Sequence, residues 1–510
     1  MSNSVNNKRI AKNTLMLYIR MLLSIVVSLY TSRVVLEVLG IEDYGIYGVV
    51  GGVVAMFSFL NASMAGATSR FLTFEMGRGD KQRLQDTFSS AMIIHMGIAL
   101  VVLILAETVG LWFLCNKLVI PEGRMEAAHW VYQCSVISVM LAITQTPYNA
   151  TIIAHEKMDV YAYIEILNVT LKLLIVYLLT ICEFDKLKIY AVLVLSVSVI
   201  VMMIYRTYCM HNFVESRFRL IWKSEILKPI LSFTGWDLFG HFAFTARQQG
   251  SNFLINMFFG VALNAATNIA FTIQGILLQF SSNIVTAFRP AIIKEYACKR
   301  FYELNSLLNR ATKMAMVLLM LLSVAIFVRI DYVLSLWLGQ IPEGTIVLSR
   351  IMVIMNIFAS FGSIIMIGIH ATGNVTRCSV VNGVGYILTI PIMYIVLKLG
   401  LGYSICYIVF IWGTILYCLT NLYFLKKQIP QVELRYYIVR TLLPLFLVFV
   451  ISIFATYYIT KYLPNDVWGF FLCVIISSTI VIIASFIVVF SSKERIYIFI
   501  HLKSKLIPNK

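Results

Sequence analysis

Charge is scarce in this sequence, and acidic charge scarcest. Only 13% of residues are charged, with 24 Asp and Glu against 41 Lys and Arg. A soluble chain of 510 residues carries far more, so the soluble globular classes are excluded. Paired cysteines are missing too. The nine Cys are scattered, mostly within apolar segments, and no CxxC occurs; zinc and redox motifs are excluded, and small buried hydrophobes remain. There is no GxxxxGK[ST] loop, no HExxH and no DxD, and the seven His show no metal spacing. ATP hydrolysis, a metal site and a resident cofactor are therefore not expected, and neither is an enzyme. Long loops are absent: the longest, 210–230, is basic and aromatic and could not hold a soluble catalytic domain. A cleavable signal peptide is not expected either, because Met1 to Lys12 is polar and basic and the first apolar segment is too long.

What is abundant is apolar length. The sequence is 60% hydrophobic with a mean hydropathy of +0.86, which predicts an all-α polytopic membrane protein. Fourteen segments have the length of a span: 13–38, 44–70, 86–113, 127–153, 160–181, 188–209, 231–258, 263–290, 306–328, 345–369, 378–398, 402–424, 439–460 and 467–490. The net charge of +17 would suggest nucleic acid in a soluble protein. Here it falls on alternate links, among them Lys8, Arg9 and Lys12, then Arg78, Lys81 and Arg83, then Arg217, Arg219 and Lys223, then Lys426, Lys427 and Arg435. The excess over the other side is roughly four to one, which predicts both termini in the cytoplasm. Nucleic acid is not an expected partner; membrane lipids are.

An internal repeat organises the chain. A shift of about 220 residues sets Gly40 on Gly260, Arg70 beside Arg289, Glu75 on Glu295 and Leu84 on Leu304. The domains expected are a first six-helix bundle at 1–210, a linker at 211–230, a second bundle at 231–425, and two further helices with a basic tail at 426–510. Both bundles start on the same side, so their relating axis would lie along the membrane normal.

Polar residues inside two spans mark the candidate site. Asp237, His241, Thr245, Gln248 and Asn252 recur at steps of four, four, three and four, which is one face of a helix. A shift of 221 lays Arg20 on His241, Ser24 on Thr245, Ser28 on Gln249 and Thr31 on Asn252. Ionisable groups there are costly unless they face a water-filled cavity or a partner. Two matching rows suggest a cavity between the halves, one wall cationic, the other mixing an acid, an imidazole and amides. Arg20 either holds an anion such as a phosphate or snorkels to headgroups. Asp237 and His241 form either a proton-sensitive pair or a structural one. Lys172 lies deep in its span, seven residues from Glu165, and either lines the cavity or pairs with that acid. Arg70 and Arg289 end equivalent spans, as anchors or as gating and substrate-admission residues. Arg33, near Glu37, and Arg247, which could neutralise a neighbour's acid, complete the gating candidates. Gly45, Gly48, Gly51 and Gly52 suit tight helix contact, and Pro147 a kink.

Two stretches carry a family resemblance. Residues 146–167, TPYNATIIAHEKMDVYAYIEIL, hold an A-x-E-K-M-x-x-Y-A pattern in Ala154, Glu156, Lys157, Met158, Tyr161 and Ala162. Leu39, Gly40, Tyr44 and Gly45 supply an LG-x-x-x-YG segment. Both resemble Wzx-type polysaccharide (O-antigen) flippases, in the polysaccharide branch of the multidrug/oligosaccharidyl-lipid/polysaccharide (MOP) exporter superfamily. The resemblance implies a MATE-like pair of six-helix bundles working by alternating access in the bacterial cytoplasmic (inner) membrane. It implies an undecaprenyl-pyrophosphate-linked oligosaccharide as substrate, moved to the periplasmic leaflet for O-antigen or capsule assembly. An H+ or Na+ gradient, or substrate flux, would drive it. The competing expectation is a cation-coupled multidrug exporter, which needs an acid where this first span carries Arg20. A membrane-embedded polymerase or glycosyltransferase would need a larger loop, and a lipid-binding scaffold is the remaining alternative.

Overall fold

The computed structural model describes residues 2–55, 58–116, 120–121, 123–181, 184–338, 341–491 and 494–495. Some side chains within its helices lie outside the described set, and Arg33, Gly45, Gly48, Gly51 and Gly52 fall there. Every regular element among the described residues is helical. We label them α1 (Ser2–Ala55), α2 (Ser58–Arg78), α3 (Lys81–Asn116), α4 (Met125–Ala154), α5 (Met158–Ile181), α6 (Lys186–Asn212) and α7 (Ser224–Ala297). There follow α8 (Phe301–Val328), α9 (Ile330–Leu338), α10 (Thr345–Thr372), α11 (Thr376–Lys398), α12 (Tyr403–Gln428), α13 (Leu434–Thr460) and α14 (Val467–Val488).

Eleven of the described helices or helix arms are long and apolar enough to cross a membrane. They are α3–α6, the second arm of α7, α8 and α10–α14. The three other expected segments, 13–38, 44–70 and 231–258, lie on α1, α2 and the first arm of α7.

Two of these helices are not straight rods. At Gly40 the backbone of α1 turns to φ 79 and ψ 168, a conformation that only glycine adopts without strain. The break falls at the expected link between the first two spans. An unbroken α7 would be about 110 Å long, several times the ~30 Å hydrocarbon core. Instead Asn252 Nδ2 donates to Asn268 Oδ1 at 3.0 Å and Gln248 Nε2 to Gln274 Oε1 at 3.4 Å. Residues 16 and 26 apart can meet only if the chain reverses between them. The helix therefore has two antiparallel arms.

The residues form two compact units. Unit 1 holds Met1–Phe242, Arg289–Lys299 and Gly373–Thr376. Its cores gather Val35, Leu39, Val131, Tyr132 and Leu187 in one cluster, and Leu72, Phe88, Tyr148, Ile175 and Tyr205 in another. A π turn at Ala106–Gly110 widens α3, and the Ala106 carbonyl, which already receives the Leu111 N–H, also accepts from Tyr132 Oη at 2.7 Å. Arg124 forks onto Asp43 and Asp185, which ties the second arm of α1 to the starts of α4 and α6. The link after α6 is pinned back on the first turns of α3. Lys223 meets Asp86 at 2.6 Å, and Gln85 Nε2 donates to the Arg217 carbonyl at 3.1 Å.

Unit 2 holds Ala243–Phe288, Arg300–Thr372 and Arg377–Lys510. Leu277, Met316, Val353, Ile357, Leu445, Val448 and Val481 share one core, so α13 and α14 are built into this unit. Their contact is lined by small residues, among them Ser452, Thr456, Cys473 and Ser477, all buried. Arg329 closes the end, donating to the Thr460 and Leu463 carbonyls at 2.7 and 3.0 Å.

The α4–α5 link and the turn after α6 meet through His155, which stacks on Phe213 at 4.0 Å and bonds Glu215. Burial alone would raise the Glu215 carboxyl, but the His155 hydrogen bond and Glu215's own amide outweigh it and hold it below the usual carboxylate range. Because the folded-state value is depressed, this stabilisation is present above the ordinary carboxylate pKa and is lost as pH falls through the depressed one. Glu215→Gln should thus lower the thermal unfolding midpoint at pH 7 by the equivalent of about 1–2 kcal/mol. Repeating the melts at successively lower pH should close the gap between variant and parent.

Candidate functional site

The first-span row takes its place in unit 1 through α5. Asn13 Nδ2 donates to the Glu156 carbonyl at 3.1 Å, and Lys12 meets Asp159 at 2.9 Å. Arg20 Nη1 donates to Tyr161 Oη at 3.0 Å, with its guanidinium 4.8 Å from that ring's centroid. The α4–α5 link that presents these groups is a tight helix end. Glu156 sits at φ 58, and Lys157 N bonds back to the Ile152 carbonyl at 3.0 Å. The A-x-E-K-M-x-x-Y-A stretch is thus the seat of the first helix, and its Tyr161 is the partner of Arg20.

The contacts set a parallel register between α1 and α5. Arg20 pairs with Tyr161, and eleven residues further on each helix come Thr31 and Lys172. Eleven residues are close to three full turns, so Thr31 stands on the face of Arg20 and Lys172 on the face of Tyr161, about 16 Å along. Ser24 and Thr31 are half-buried, and Ser28 and Lys172 are exposed. Lys172 makes no ion pair among the described residues; Glu165 instead accepts from Tyr205 Oη at 3.3 Å. Two cations three turns apart, separated by hydroxyls, can pass an anionic group from one to the other.

Two of the four gating candidates, Arg70 and Arg289, lie elsewhere in unit 1. Arg70 is buried between the Phe71 and Phe74 rings, at 4.4 and 4.7 Å, with Glu75 and Tyr296 as its electrostatic partners. A Cβ at Gly373 would lie 2.5 Å from Arg70 Nη2, so the glycine leaves room for the guanidinium. Arg289 lies against Gly66 in the same way, and its electrostatic partner is the buried Asp237. His241 Nε2 stands 3.8 Å from Asp237 Oδ2, with its ring half-exposed. Gly77 touches Ala297, and Cys298 Sγ donates to the Gly77 carbonyl at 3.2 Å. Both arginines of the repeat, and Glu75 with Glu295, therefore belong to this one unit.

In unit 2, Thr245 is exposed, while Gln248 and Asn252 meet amides of the opposing α7 arm. Asn356 adds a third amide, donating to the Gln274 carbonyl at 3.1 Å. Sequence reasoning missed Asn268, Gln274 and Asn356; the signal was present as amides inside apolar spans. Arg247 is buried in the cores of α11 and α12, its guanidinium 4.5 Å from Tyr386, 4.8 Å from Phe410 and 5.1 Å from Phe244. No carboxylate pairs with it among the described residues. The ring faces supply the negative potential instead. Among the described residues no cluster of His, Cys, Asp or Glu could hold a metal.

Asp237→Asn should leave the half-buried Arg289 without its counter-charge and cost about 2 kcal/mol in stability. Asp237→Asn with Arg289→Gln should cost less than Asp237→Asn alone, as read from thermal melts of the purified variants.

No family model matches the chain, and no curated protein matches it by sequence. Solved structures do. A crystal structure of a MATE mutant is similar at 14% identity with a TM-score of 0.73. An outward-facing multidrug resistance MATE family transporter of the MOP superfamily is similar at 15% identity and 0.72. A MOP superfamily transporter from Pyrococcus furiosus, described as having a binding pocket of reverse polarity that suggests a different function, is similar at 16% identity and 0.71. Each match covers 84% of this chain and 97% of the other. The chain has the all-α polytopic membrane fold of the MATE and MOP-superfamily transporters.

Proposed function

We propose that this chain is a flippase that moves an undecaprenyl-pyrophosphate-linked oligosaccharide from the cytoplasmic to the periplasmic leaflet by alternating access, in O-antigen or capsule assembly. Residues 1–210 and 231–425 would be its two bundles, with both termini cytoplasmic. The observation that carries this reading is the polarity of the first-helix row. Arg20 stands in an otherwise apolar stretch, is oriented by Tyr161, and is followed by Ser24, Ser28 and Thr31 with Lys172 alongside. The first acid in that helix is Glu37, beyond the row. Glu165, the acid one turn beyond Tyr161, is engaged by Tyr205.

This arrangement suits a pyrophosphate. A guanidinium offers a planar fork of donors to two phosphate oxygens at once, and the Tyr161 bond fixes the orientation of that fork. The neighbouring hydroxyls can take sugar hydroxyls or phosphate oxygens. Lys172, three turns on, gives the head group a second station further along the span. Asp237 with His241 offers a titratable pair for a coupling proton. The lipid tail remains in the bilayer, where an apolar chain belongs.

The second reading, a cation-coupled multidrug exporter, is favoured by what several similar structures are called. A cationic row repels the cationic drugs that such a pump would carry, and no acid of the first helix stands in the row to bind a coupling cation. The neighbour from Pyrococcus furiosus is described as having a pocket of reversed polarity, so one fold accommodates both signs.

In cells deleted for this chain, undecaprenyl-linked repeat units should accumulate on the cytoplasmic leaflet. Complementation with Arg20→Ala should restore surface polysaccharide at least roughly tenfold less well than Arg20→Lys at equal protein level. Tyr161→Phe, which removes the hydroxyl but keeps the cation, should fall between them. Normal polysaccharide in the deletion strain with altered drug sensitivity would favour the exporter.

A further inference from the structure

We propose that unit 2 carries a binding site for the phosphate of an anionic membrane lipid at the charged end of α13. The site is independent of the first-helix row and of what the chain transports. It is a surface cavity of about 620 Å³ lined by Arg435, Arg440, Lys426, Tyr436 and Val439, with Glu433 as its one acid.

The segment is held rigidly from behind. Asn305 Nδ2 donates to the Gln431 carbonyl at 3.0 Å, Tyr437 Oη lies 2.6 Å from Thr312 Oγ1, and Thr441 Oγ1 donates to Asn309 Oδ1 at 2.6 Å. These bonds fix one face of 431–441 on α8 and turn the opposite face outward. Lys426 Nζ closes the corner by donating to the Pro430 and Val432 carbonyls at 2.7 and 2.9 Å. Arg435 and Arg440 are exposed and make no hydrogen bond or ion pair among the described residues. Two guanidiniums on a fixed scaffold are thus left with their donors unused.

Their placement comes from a local irregularity. In an unbroken α-helix, residues five apart lie about 140° apart around the axis. The π turn at Ile438–Leu442 widens the helix there and swings Arg440 toward Arg435, so both line one cavity. Two planar donor groups lining one cavity match the oxygens of a phosphate diester. Tyr436 is an amphipathic ring of the kind that sits at headgroup level.

The apolar side of the same helix supplies the rest of a lipid site. Val439, Leu443, Leu447, Ile451 and Phe454 are all exposed and recur at steps of four, four, four and three. The row begins in the cavity and runs down α13, which is the course an acyl chain would take below a headgroup held by the two arginines. A free inorganic phosphate would satisfy the arginines but leave this row without a role, so the occupant is a lipid rather than a soluble anion.

The test uses the full chain purified in detergent micelles, titrated separately with phosphatidylglycerol, phosphatidylcholine and inorganic phosphate. Bound lipid is counted by native mass spectrometry and the thermal unfolding midpoint is recorded. Phosphatidylglycerol should bind and raise the midpoint, at least tenfold more tightly than phosphatidylcholine. Arg435→Gln with Arg440→Gln should weaken that binding at least tenfold while keeping the lipid-free midpoint of the parent. Arg435→Lys with Arg440→Lys should retain part of it. The proposal is overturned if the double Gln variant binds phosphatidylglycerol as the parent does, or if phosphatidylcholine binds equally. It is equally overturned if inorganic phosphate raises the midpoint as the lipid does.

Discussion

A cation carried into an apolar helix must find negative potential without water, and this one constraint shapes much of the chain. Four arginines answer it in different ways. Arg20 leans on the Tyr161 hydroxyl and ring, while Arg289 faces Asp237. Arg70 lies between two phenylalanines with Glu75 nearby, and Arg247 is enclosed by three aromatic rings. Room for the guanidinium comes from glycine in two cases: Gly66 under Arg289 and Gly373 under Arg70. Of the four, Arg20 is the one set in a helical row of hydroxyls with a second cation alongside, which is why the functional reading rests on it.

The expected spans were legible because lipid enforces helices and short links leave few other ways to arrange them. Gly40 was visible as a break, and the reversal within α7 follows from the Gly260 region of the repeat. The α4–α5 link was visible as a motif, but its physical role was not. That Tyr161 receives Arg20 depends on the register of two helices 141 residues apart in sequence, which no periodicity reveals. Arg247 illustrates the opposite error. Its charge suggested a partner acid, whereas its surroundings are rings contributed by α7, α11 and α12, and single aromatic residues in apolar spans carry no distinguishing pattern. The amides Asn268 and Gln274 escaped for a similar reason, since they answer Gln248 and Asn252 across a turn rather than along a face.

Fold and function separate at this point. Neighbours of the same architecture include proteins named for multidrug resistance and one described as having a pocket of reversed polarity. An architecture shared by proteins so differently described does not itself choose a substrate. The choice lies in a few side chains, and here those on the first helix are cationic and hydroxylic. Pyrophosphate and sugar make use of both properties; a cationic drug makes use of neither.

The most direct measurement is translocation by the purified chain in proteoliposomes loaded with undecaprenyl-pyrophosphate-linked oligosaccharide, scored by access of a glycan-modifying probe to each leaflet. The wild-type chain should equilibrate the lipid-linked glycan between leaflets, and Arg20→Ala should not, at equal incorporation. Equal exposure in empty liposomes, wild-type and Arg20→Ala would contradict the proposed flippase function.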